Sequence, residues 1–516
     1  MGRETMGYGL AWRVLVLALV ITFLPAAEQV AGVNDPSGQA SDGAPYTINL
    51  PVIQRPDPTF YVSVAGSDET GDGTAAHPWA TIAYALQQVS DGAMIVVRPG
   101  TYHGEVQLRR RFESGVVIRA SEPYRARLQN HDTVITCHIC AGITLEGFEI
   151  SHDGPGAGRY VVQIQDAAGN GYGGRRVTLY NNVIHDSYNN DLVKVNNGAD
   201  EIVVAGNIFY NMGGPEKDSH LDINSATNVI VEDNIFFNSF AASNRPNQNN
   251  TGSFITVKDS NGTGDANLGS RNVAIRRNIF LNWEGDDGNA FITLGEDAVD
   301  YFQARDVLIE NNLMLGNTEN VIRAALQVRG SRDVTFRHNT VAGDLPAKAF
   351  AMRLTLAPNN LPNANVLFYN NIWSDPTGTM GAELHGYDDD FSDAVPADTL
   401  SFGLDGNLYW NGGQPVPNDP AELVNISDDP TRHVADPLLA AQEQIVLPVW
   451  QRVSGRFGDG SATIRDAFVR LVNGWGTPST GSTAIDNASP AYAPAEDILG
   501  RPRSASAPPD IGAVEK

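Results

Sequence analysis

Apolar and polar residues alternate along most of the chain beyond residue 60, in short runs that predict β-strands rather than helices. In the segment DSHLDINSATNVIVEDNIFFN, from Asp218 to Asn238, two alternating runs, HLDIN and VIVED, are each followed by small or amide residues. A period of two places successive side chains on opposite faces of a strand. His220, Asp222 and Asn224 therefore share one face, which is either a candidate active site or the solvated side of a strand.

One longer pattern recurs, in which two apolar residues separated by any residue precede two variable positions, an asparagine and a further apolar residue. Its copies are VTLYNNVI, IVVAGNIF, VIVEDNIF, VAIRRNIF, VLIENNLM, VTFRHNTV and VLFYNNIW, with LSFGLDGNLYW as an eighth. The asparagines are Asn182, Asn207, Asn234, Asn278, Asn312, Asn339, Asn371 and Asn407. Strand periodicity on both sides of a repeated asparagine predicts a parallel β-solenoid, in which each coil is stable only against its neighbours.

The repeated asparagine has a structural interpretation. Asparagine tolerates the left-handed backbone of a sharp turn. At the same turn of every coil, its amide can bond to the asparagines above and below and form a ladder.

A second alternating strand precedes each asparagine strand, and its polar side predicts the functional face. The inward column is Val193, Leu221, Ile255, Ile292, Leu326 and Met352. The first outward column is Lys194, Asp222, Thr256, Thr293, Gln327 and Arg353. The next outward column is Asn196, Asn224, Lys258, Gly295, Arg329 and Thr355. Because strands stack about 4.8 Å apart, side chains of adjacent rows can touch.

Both ends of the repeat region resemble a known superfamily. The opening FYVSVAGSDETGDGTAAHPWATIAYAL, followed by MIVVRPGTY, and the close DILGRPRSASAPPDIGAVE resemble secreted bacterial right-handed parallel β-helix proteins of the pectate-lyase-like superfamily. With the asparagine repeats, the resemblance covers roughly residues 60 to 516. It implies an all-β, right-handed parallel β-helix of about nine to eleven coils. PWATIAYALQQV would form an N-terminal cap helix over the open end of the solenoid.

The chain divides into four predicted regions. Residues 1–31 have the basic start, short apolar run and small residues of a signal peptide, so we expect a secreted protein that is not membrane-integral. Residues 32–59, rich in Pro, Gly, Ser and Asp, are a linker, and residues 60–411 form the β-helix with its cap. Residues 412–516 form a C-terminal cap and wrapping tail, in which SATIRDAFVRLVNGWG is one helix.

Composition excludes one class of partner and leaves another open. The formal charge of −25 argues against nucleic acid, because a duplex binder needs a basic surface. An acidic polysaccharide remains compatible, since a local basic or metal site can override the global field. We expect a monomer.

The two cysteines, Cys137 and Cys140, would form a local disulfide or remain packed thiols, because no second cysteine pair completes a zinc site.

The outward face carries the residue types that β-elimination of a uronate requires. Lyases need a base near the sugar C5 and a cation that stabilises the enolate-like intermediate. By resemblance, the β-helix lyases use a lysine base, an arginine, and carboxylates or amides that hold calcium. The predicted catalytic residues are Lys258, Arg329 and Lys194. The predicted Ca²⁺ ligands are Asp222, Asn224 and Asp191, and the predicted substrate contacts are His220, Trp283 and Arg353.

Two alternatives compete with a calcium-assisted polysaccharide lyase. The polar face could bind glycan without cleaving it, which would make the protein a non-catalytic polysaccharide-binding protein. An inverting glycoside hydrolase would instead use paired carboxylates in NWEGDDGNAFITLGED. Those carboxylates are Glu284, Asp286, Asp287, Glu296 and Asp297. His220, in line with Phe254 and Phe291, is either a second base or part of an aromatic stack.

Overall fold

Three long parallel sheets wind through a computed structural model of the chain. The structure describes residues 20–23, 46–49 and 59–516, except 168–172, 215–216, 266, 319, 382, 385–386, 389, 443 and 505. The signal-peptide and linker predictions fall almost wholly outside these residues and stay predictions. Within the described part of the chain, no helix is long and apolar enough to cross a membrane.

Each coil contributes one strand to each of the three sheets, in the order sheet 1, sheet 2, sheet 3. Sheet 1 contains Thr59–Val62, Met94–Val97, Arg111–Ala120, Ala141–Glu146, Arg175–Tyr180, Asp200–Ala205, Thr227–Glu232, Ser270–Arg276, Ala304–Glu310, Ser331–Arg337, Ala364–Tyr369 and Phe402–Asp405. Sheet 2 contains Gly100–His103, Ala126–Asn130, Glu149–His152, Val183–Ser187, Ile208–Met212, Ile235–Phe237, Ile279–Phe280, Leu313–Asn317, Thr340–Asp344, Ile372–Asp375, Leu408–Asn411 and His433–Val434. Sheet 3 contains Val106–Gln107, Ile135–Cys137, Val162–Gln165, Val193–Asn196, Leu221–Asn224, Ile255–Lys258, Ala290–Leu294, Ala324–Val328, Ala349–Leu354 and Asp390–Ala394.

The remaining elements are short. The two α-helices are Ile82–Gln88 and Ile464–Leu471, the latter continued by a wider π turn, Val472–Gly476. Single 3₁₀ turns are Phe240–Ser243, Gly262–Gly264, Ile426–Asp428 and Pro490–Tyr492. Antiparallel pairs join Val20–Phe23 to Tyr46–Asn49, Glu383–Leu384 to Tyr387–Asp388, and Trp450–Gln451 to Arg456–Phe457.

Sheet 3, the shortest of the three long sheets, has ten strands, so ten coils of the described chain are complete. This confirms the predicted right-handed parallel β-helix of nine to eleven coils. The helix Ile82–Gln88 lies against the first strands of sheets 1 and 3, where the cap helix was predicted, and Thr81 caps its N-terminus. One strand of sheet 2, His433–Val434, extends the solenoid past the predicted boundary at 411.

The asparagine ladder is present at the turn between sheets 1 and 2. The side-chain oxygen of Asn234 accepts hydrogen bonds from the backbone N–H and the side-chain amide of Asn207, and Asn278 does the same for Asn234. The ladder runs unbroken from Asn182 to Asn407 and ends on the Asp429 carboxylate. Each bond between these buried groups contributes about 1 kcal/mol.

The structure corrects the backbone reason for the ladder. The left-handed residue is the one before each ladder asparagine, for example Asn181 at φ 55° and Asp233 at φ 57°. The ladder asparagines themselves do not have positive φ. They occupy the turn because their amides satisfy buried backbone groups, which otherwise would lack hydrogen bonds.

The C-terminal segment covers the outer face of sheet 2. Its helix Ile464–Leu471 buries Ile464, Ala467, Phe468 and Leu471 against outward-facing apolar residues of that sheet. Burial of each such side chain stabilises the protein by about 1.5–3 kcal/mol. The helix predicted within SATIRDAFVRLVNGWG is present, although its α-helical part covers only Ile464–Leu471 and a π turn continues it to Gly476.

Beneath this segment lies a group of charged residues that we call the sheet-2 cluster: Glu149, His185, Asp186, Arg245 and Arg452. His185 Nε2 lies 3.1 Å from Glu149 Oε1, and its Nδ1 lies 2.7 Å from Asp186 Oδ2. Both ring nitrogens face carboxylates, so both donate and the ring is an imidazolium. Arg452 from the C-terminal segment lies 2.5 Å from Glu149 Oε1, and Arg245 lies 3.2 Å from Asp186 Oδ1.

Candidate functional site

The outward columns predicted for sheet 3 are present in register. Lys194 pairs with Asp222, which pairs with Thr256, and Asn224 pairs with Lys258. Farther along, Gln327 pairs with Arg353. The sequence pattern thus identified one continuous surface that crosses the strands of sheet 3.

Seven charged residues of this surface form what we call the lysine–carboxylate cluster: Asp191, Lys194, Asp218, Asp222, Lys258, Glu296 and Asp297. Lys194 Nζ lies 2.6 Å from Asp222 Oδ2 and 3.6 Å from Asp191 Oδ2. Lys258 Nζ contacts the Glu296 carboxylate and lies 3.8 Å from Asp222 Oδ2 and 3.9 Å from Asp297 Oδ2. Five carboxylates thus surround two ammonium groups.

Burial and neighbouring charges shift the pKa values of Asp191, Asp218, Lys194 and Lys258. Burial raises the pKa of Asp191 well above its ordinary value, against the attraction of Lys194, and raises the pKa of Asp218 to about 6. Burial lowers the pKa of both lysines, but Asp222 and the other carboxylates raise it by more. Lys194 and Lys258 are therefore ammonium ions near neutral pH in this structure.

The cluster keeps hydrogen-bonding capacity that the chain does not use. Asp191 Oδ2, Asp218 Oδ2 and Asp222 Oδ1 are buried and accept no hydrogen bond. These hard oxygen donors are the ligand type that Ca²⁺ prefers. However, no three His, Cys, Asp or Glu side chains of the described residues are already arranged around a common metal position. The chemistry of the donors fits calcium, and a metal there stays a proposal.

Asn224, also predicted as a calcium ligand, has other partners. Its side-chain oxygen accepts a hydrogen bond from the backbone N–H of Ser260, and its amide donates to the Ser260 hydroxyl. In the structure, Asn224 thus secures the loop after Lys258. The carboxylate oxygens of Asp191, Asp218 and Asp222 that accept no hydrogen bond are the better donor set.

Two coils from Lys258, positive charge dominates the same face in what we call the arginine group: Arg323, Arg329, Arg353 and Asp393. Arg323 and Arg353 both contact the Asp393 carboxylate, with Arg353 Nε 2.9 Å from Oδ2. The half-buried guanidinium of Arg329 makes no hydrogen bond or ion pair with any described residue. Burial lowers its pKa and the Glu296 charge opposes this, but arginine stays charged in proteins.

Two predicted substrate contacts lie inside the solenoid. Trp283 and His220 have no exposed surface. His220 packs on Phe254 with ring centroids 4.6 Å apart, its Nε2 bonds to the Asn238 side chain, and burial lowers its pKa to about 3. Since neither side chain reaches solvent, neither contacts a polysaccharide at this surface, and the stacking interpretation of His220 is confirmed.

The carboxylates predicted for a hydrolase do not form one site. Glu284 accepts a hydrogen bond from the backbone N–H of Phe240, Asp286 pairs with Lys217 at 2.5 Å, and Asp287 pairs with Lys348 at 3.1 Å. Glu296 and Asp297 belong instead to the lysine–carboxylate cluster. The first three therefore hold loops together.

Sequence reasoning did not assign several residues of this face. Asp218 and Tyr160 come from loops before the strands, and burial raises the Tyr160 pKa beside the charges of Lys194 and Asp191. Arg323 precedes a strand, and Asp393 lies in the last strand of sheet 3, in register with Arg353. An extension of the outward column to DFSDA would have found Asp393. No periodic signal marks loop residues.

The two cysteines form the disulfide that was one of the two predicted outcomes. Cys137 ends a strand of sheet 3, two coils before the strand that carries Lys194, and its bridge closes a local turn.

Comparisons with known proteins support the fold. No family model matches the sequence, and no curated protein matches it. Among solved structures, pectate lyase Pel9A is 14% identical with a TM-score of 0.51, covering 89% of this chain and 96% of its own. XylC in complex with xylose is 12% identical with a TM-score of 0.46, covering 89% and 98%. A rhamnogalacturonan lyase is 13% identical with a TM-score of 0.43, covering 74% and 90%.

At these identities the likeness concerns the backbone alone, and it agrees with the three parallel sheets and the ladder. The protein is a right-handed parallel β-helix, a fold that it shares with pectate lyase Pel9A.

Proposed function

We propose that this protein is a polysaccharide lyase that cleaves a uronate-containing polysaccharide by β-elimination on the outward face of sheet 3. The observation that carries the proposal is the unpartnered guanidinium of Arg329, on the same face as the lysine–carboxylate cluster. An arginine without a partner in the protein is suited to bind a carboxylate bidentately.

The spacing along the column leaves room for a sugar. Lys258 follows Val257, Gly295 follows Leu294 and Arg329 follows Val328, and these three preceding residues are in register. Lys258 and Arg329 are therefore two coils apart, about 10 Å at ordinary strand spacing. That separation is long enough for a sugar ring to lie between the two side chains. At Gly295, between them, a Cβ would lie 1.9 Å from the Arg329 carbonyl oxygen, so glycine there permits the close approach of the Arg329 backbone.

The charged residues then have distinct roles. Arg329, with Arg323 and Arg353, binds the uronate carboxylate and stabilises the negative charge that develops when the C5 proton leaves. Lys258, an ammonium ion in this structure, must lose its own proton before it can accept the C5 proton, and Lys194 orients Asp222 through its ion pair. Calcium held by Asp191, Asp218 and Asp222 would lower the Lys258 pKa, because its charge would offset that of Asp222, one of the three carboxylates beside Lys258 Nζ. Pectate lyase Pel9A, which has a similar backbone, is an enzyme of this reaction class by its name.

One observation favours a second candidate, an inverting glycoside hydrolase. Burial raises the pKa of Asp218 to about 6, which suits a general acid, and Asp222 of the same cluster is a second carboxyl group for the base role. The hydrolase site would then lie on the sheet-3 face, and not at Glu284 and its neighbours as the sequence predicted.

The test is a screen of the mature protein against pectate, alginate, hyaluronan, chondroitin and heparan, with calcium or with chelator. A lyase forms a C4–C5 double bond that absorbs in the ultraviolet, whereas a hydrolase forms reducing ends without that absorbance. We expect calcium-dependent absorbance that Lys258→Ala lowers by about 10²–10⁴-fold, the range of general-base contributions. Lys217→Ala, a lysine outside this face, is the matched control and keeps full activity.

Two results would contradict the proposal. Reducing ends without absorbance would favour the hydrolase, and Asp218→Asn should then abolish their formation. No product from any substrate, together with retained binding of the polysaccharide, would leave a non-catalytic binding protein.

A further inference from the structure

A second candidate site lies away from sheet 3, at the corner where sheet 1 turns into sheet 2. A cavity of about 410 Å³ opens there between the solenoid and the C-terminal segment. Its walls include Tyr180, Gly206, Arg277 and Glu232 from the solenoid and Arg465 and Glu496 from the C-terminal segment.

The cavity exists because one coil has small residues where its neighbours have large ones. Along the last outward column of sheet 1, Tyr180 pairs with Ala205, and Ala205 pairs with Glu232. The following residue in the same coil is Gly206. Together, Ala205 and Gly206 leave a notch between the side chains of the coils on either side.

The backbone conformation does not by itself require glycine in the notch. Gly206 has φ 66°, but the equivalent turn residues Asn181, Asp233 and Asn311 have φ 55–57° and carry side chains. A Cβ on Gly206 would lie 3.4 Å from the Tyr180 ring. Glycine at this position keeps that ring accessible.

The lining combines an aromatic ring with unused polar groups. Tyr180 is 47% exposed, and its hydroxyl has no hydrogen-bond partner among the described residues. The Glu496 carboxylate likewise has no hydrogen bond or ion pair within the described chain. Arg277 and Arg465 are held by Asp233 at 3.1 Å and 3.5 Å, so the positive charges are already largely neutralised.

We infer that this cavity binds one uncharged sugar unit of a glycan, with the sugar ring against Tyr180 and its hydroxyl groups bonded to Glu496 and Arg465. An aromatic ring buries the apolar face of a sugar, while fixed charged groups bond its hydroxyls. A small ion is disfavoured because carboxylates and guanidinium groups nearly cancel, and an apolar ligand is disfavoured by the polar walls. The site lies at a different face from sheet 3, so it would anchor glycan independently of the proposed lyase site.

Saturation-transfer NMR on the full chain tests this inference with methyl xyloside, methyl galactoside and methyl rhamnoside as neutral probes, and tetramethylammonium as a charged probe. At least one neutral glycoside should bind. Gly206→Asn, which neighbouring coils show to be compatible with the backbone, should fill the notch and remove the signal. Tyr180→Ala should weaken binding about tenfold, equivalent to about 1.4 kcal/mol.

Two controls separate this site from the sheet-3 face. Lys258→Ala should leave neutral-glycoside binding unchanged, and Gly206→Asn should leave activity on polysaccharide unchanged. Absence of binding by all three glycosides, binding of tetramethylammonium alone, or binding that survives both Gly206→Asn and Tyr180→Ala would overturn the inference. Tyr180→Ala keeps the test decisive if Gly206→Asn does not fold.

Discussion

The outward faces of sheets 2 and 3 both bury charged side chains, but they differ in how far the protein bonds those charges. In the sheet-2 cluster, neither Glu149, His185 nor Asp186 retains a buried polar atom without a hydrogen bond, although Nε of the neighbouring Arg127 does. On sheet 3, buried carboxylate oxygens of Asp191 and Asp222 and the Arg329 Nε make no hydrogen bond. Paired charge beneath the C-terminal segment holds that segment in place, whereas the atoms without hydrogen bonds on sheet 3 keep bonding capacity for a ligand.

The largest effect that we expect on stability comes from removing a charge from the sheet-2 cluster. Glu149→Gln should lower the free energy of unfolding by about 3–5 kcal/mol, because it leaves the buried His185 and the tethering Arg452 with less compensating charge. Urea unfolding measures this loss, and Glu113→Gln, at an exposed carboxylate, is the matched control. A loss below about 1 kcal/mol, the usual value for surface pairs, would show that the sheet-2 cluster is not structural.

The next largest effect concerns Arg329 on the outward face of sheet 3 and should appear in the activity. Arg329→Ala should lower kcat/KM on the uronate substrate by about 10²–10³-fold, as for loss of one stabilising group in other enzymes. The free energy of unfolding should hardly change, because Arg329 has no hydrogen bond or ion pair with a described residue to lose. Arg332→Ala, an exposed arginine paired with Asp333 on sheet 1, is the control. Equal losses of activity in the two variants would count against a role for Arg329 in substrate binding.

Asp218→Asn should have a smaller effect and should increase stability, whereas Glu149→Gln should decrease it. Because the Asp218 pKa is raised to about 6, its charge destabilises the folded protein above the ordinary carboxyl range. Removing that charge should raise the free energy of unfolding at pH 7 by about 1 kcal/mol. Thermal unfolding in chelator measures it. Destabilisation by the variant would mean that the carboxylate is paired in solution.

The smallest effect is the pH dependence of the sheet-2 cluster. Contacts with carboxylates raise the His185 pKa despite burial, so its contribution is full below the unfolded pKa and lost as pH rises through the folded value. The pKa values of Glu149 and Asp186 are lowered to about 2, against burial, so their contribution is lost as pH falls toward 2. Arg127, Arg245 and Arg452 stay charged, and burial keeps Tyr210 neutral.

Thermal unfolding across pH should therefore show a plateau between the unfolded carboxyl and imidazole pKa values, about 4 to 6.5. His185→Gln should remove the alkaline decline of this curve but keep the acid decline. An unchanged alkaline decline in the variant would assign it to another group.

Much of the sheet-3 face could be predicted from the sequence, because a strand period of two and a repeated asparagine together set the register. The columns that contain Lys194, Asp222 and Lys258 follow from this alone. Asp218, Glu296 and Arg323 reach the same face from turns, whose lengths differ from coil to coil. Their positions were not predictable from any period.

What the sequence determined by itself is the solenoid: alternation sets which side chains face inward, and asparagines repeated at the same turn satisfy one another's buried amides. What the tertiary structure decided is the state of each charged residue. Trp283 and His220 lie inside because the turns fold over them, and Glu149 is paired because Arg452 returns to it across about 300 residues of chain. Arg329 is half-buried and yet makes no hydrogen bond or ion pair with any residue that the structure describes. Pairing and burial depend on residues distant in sequence, and no local pattern encodes them.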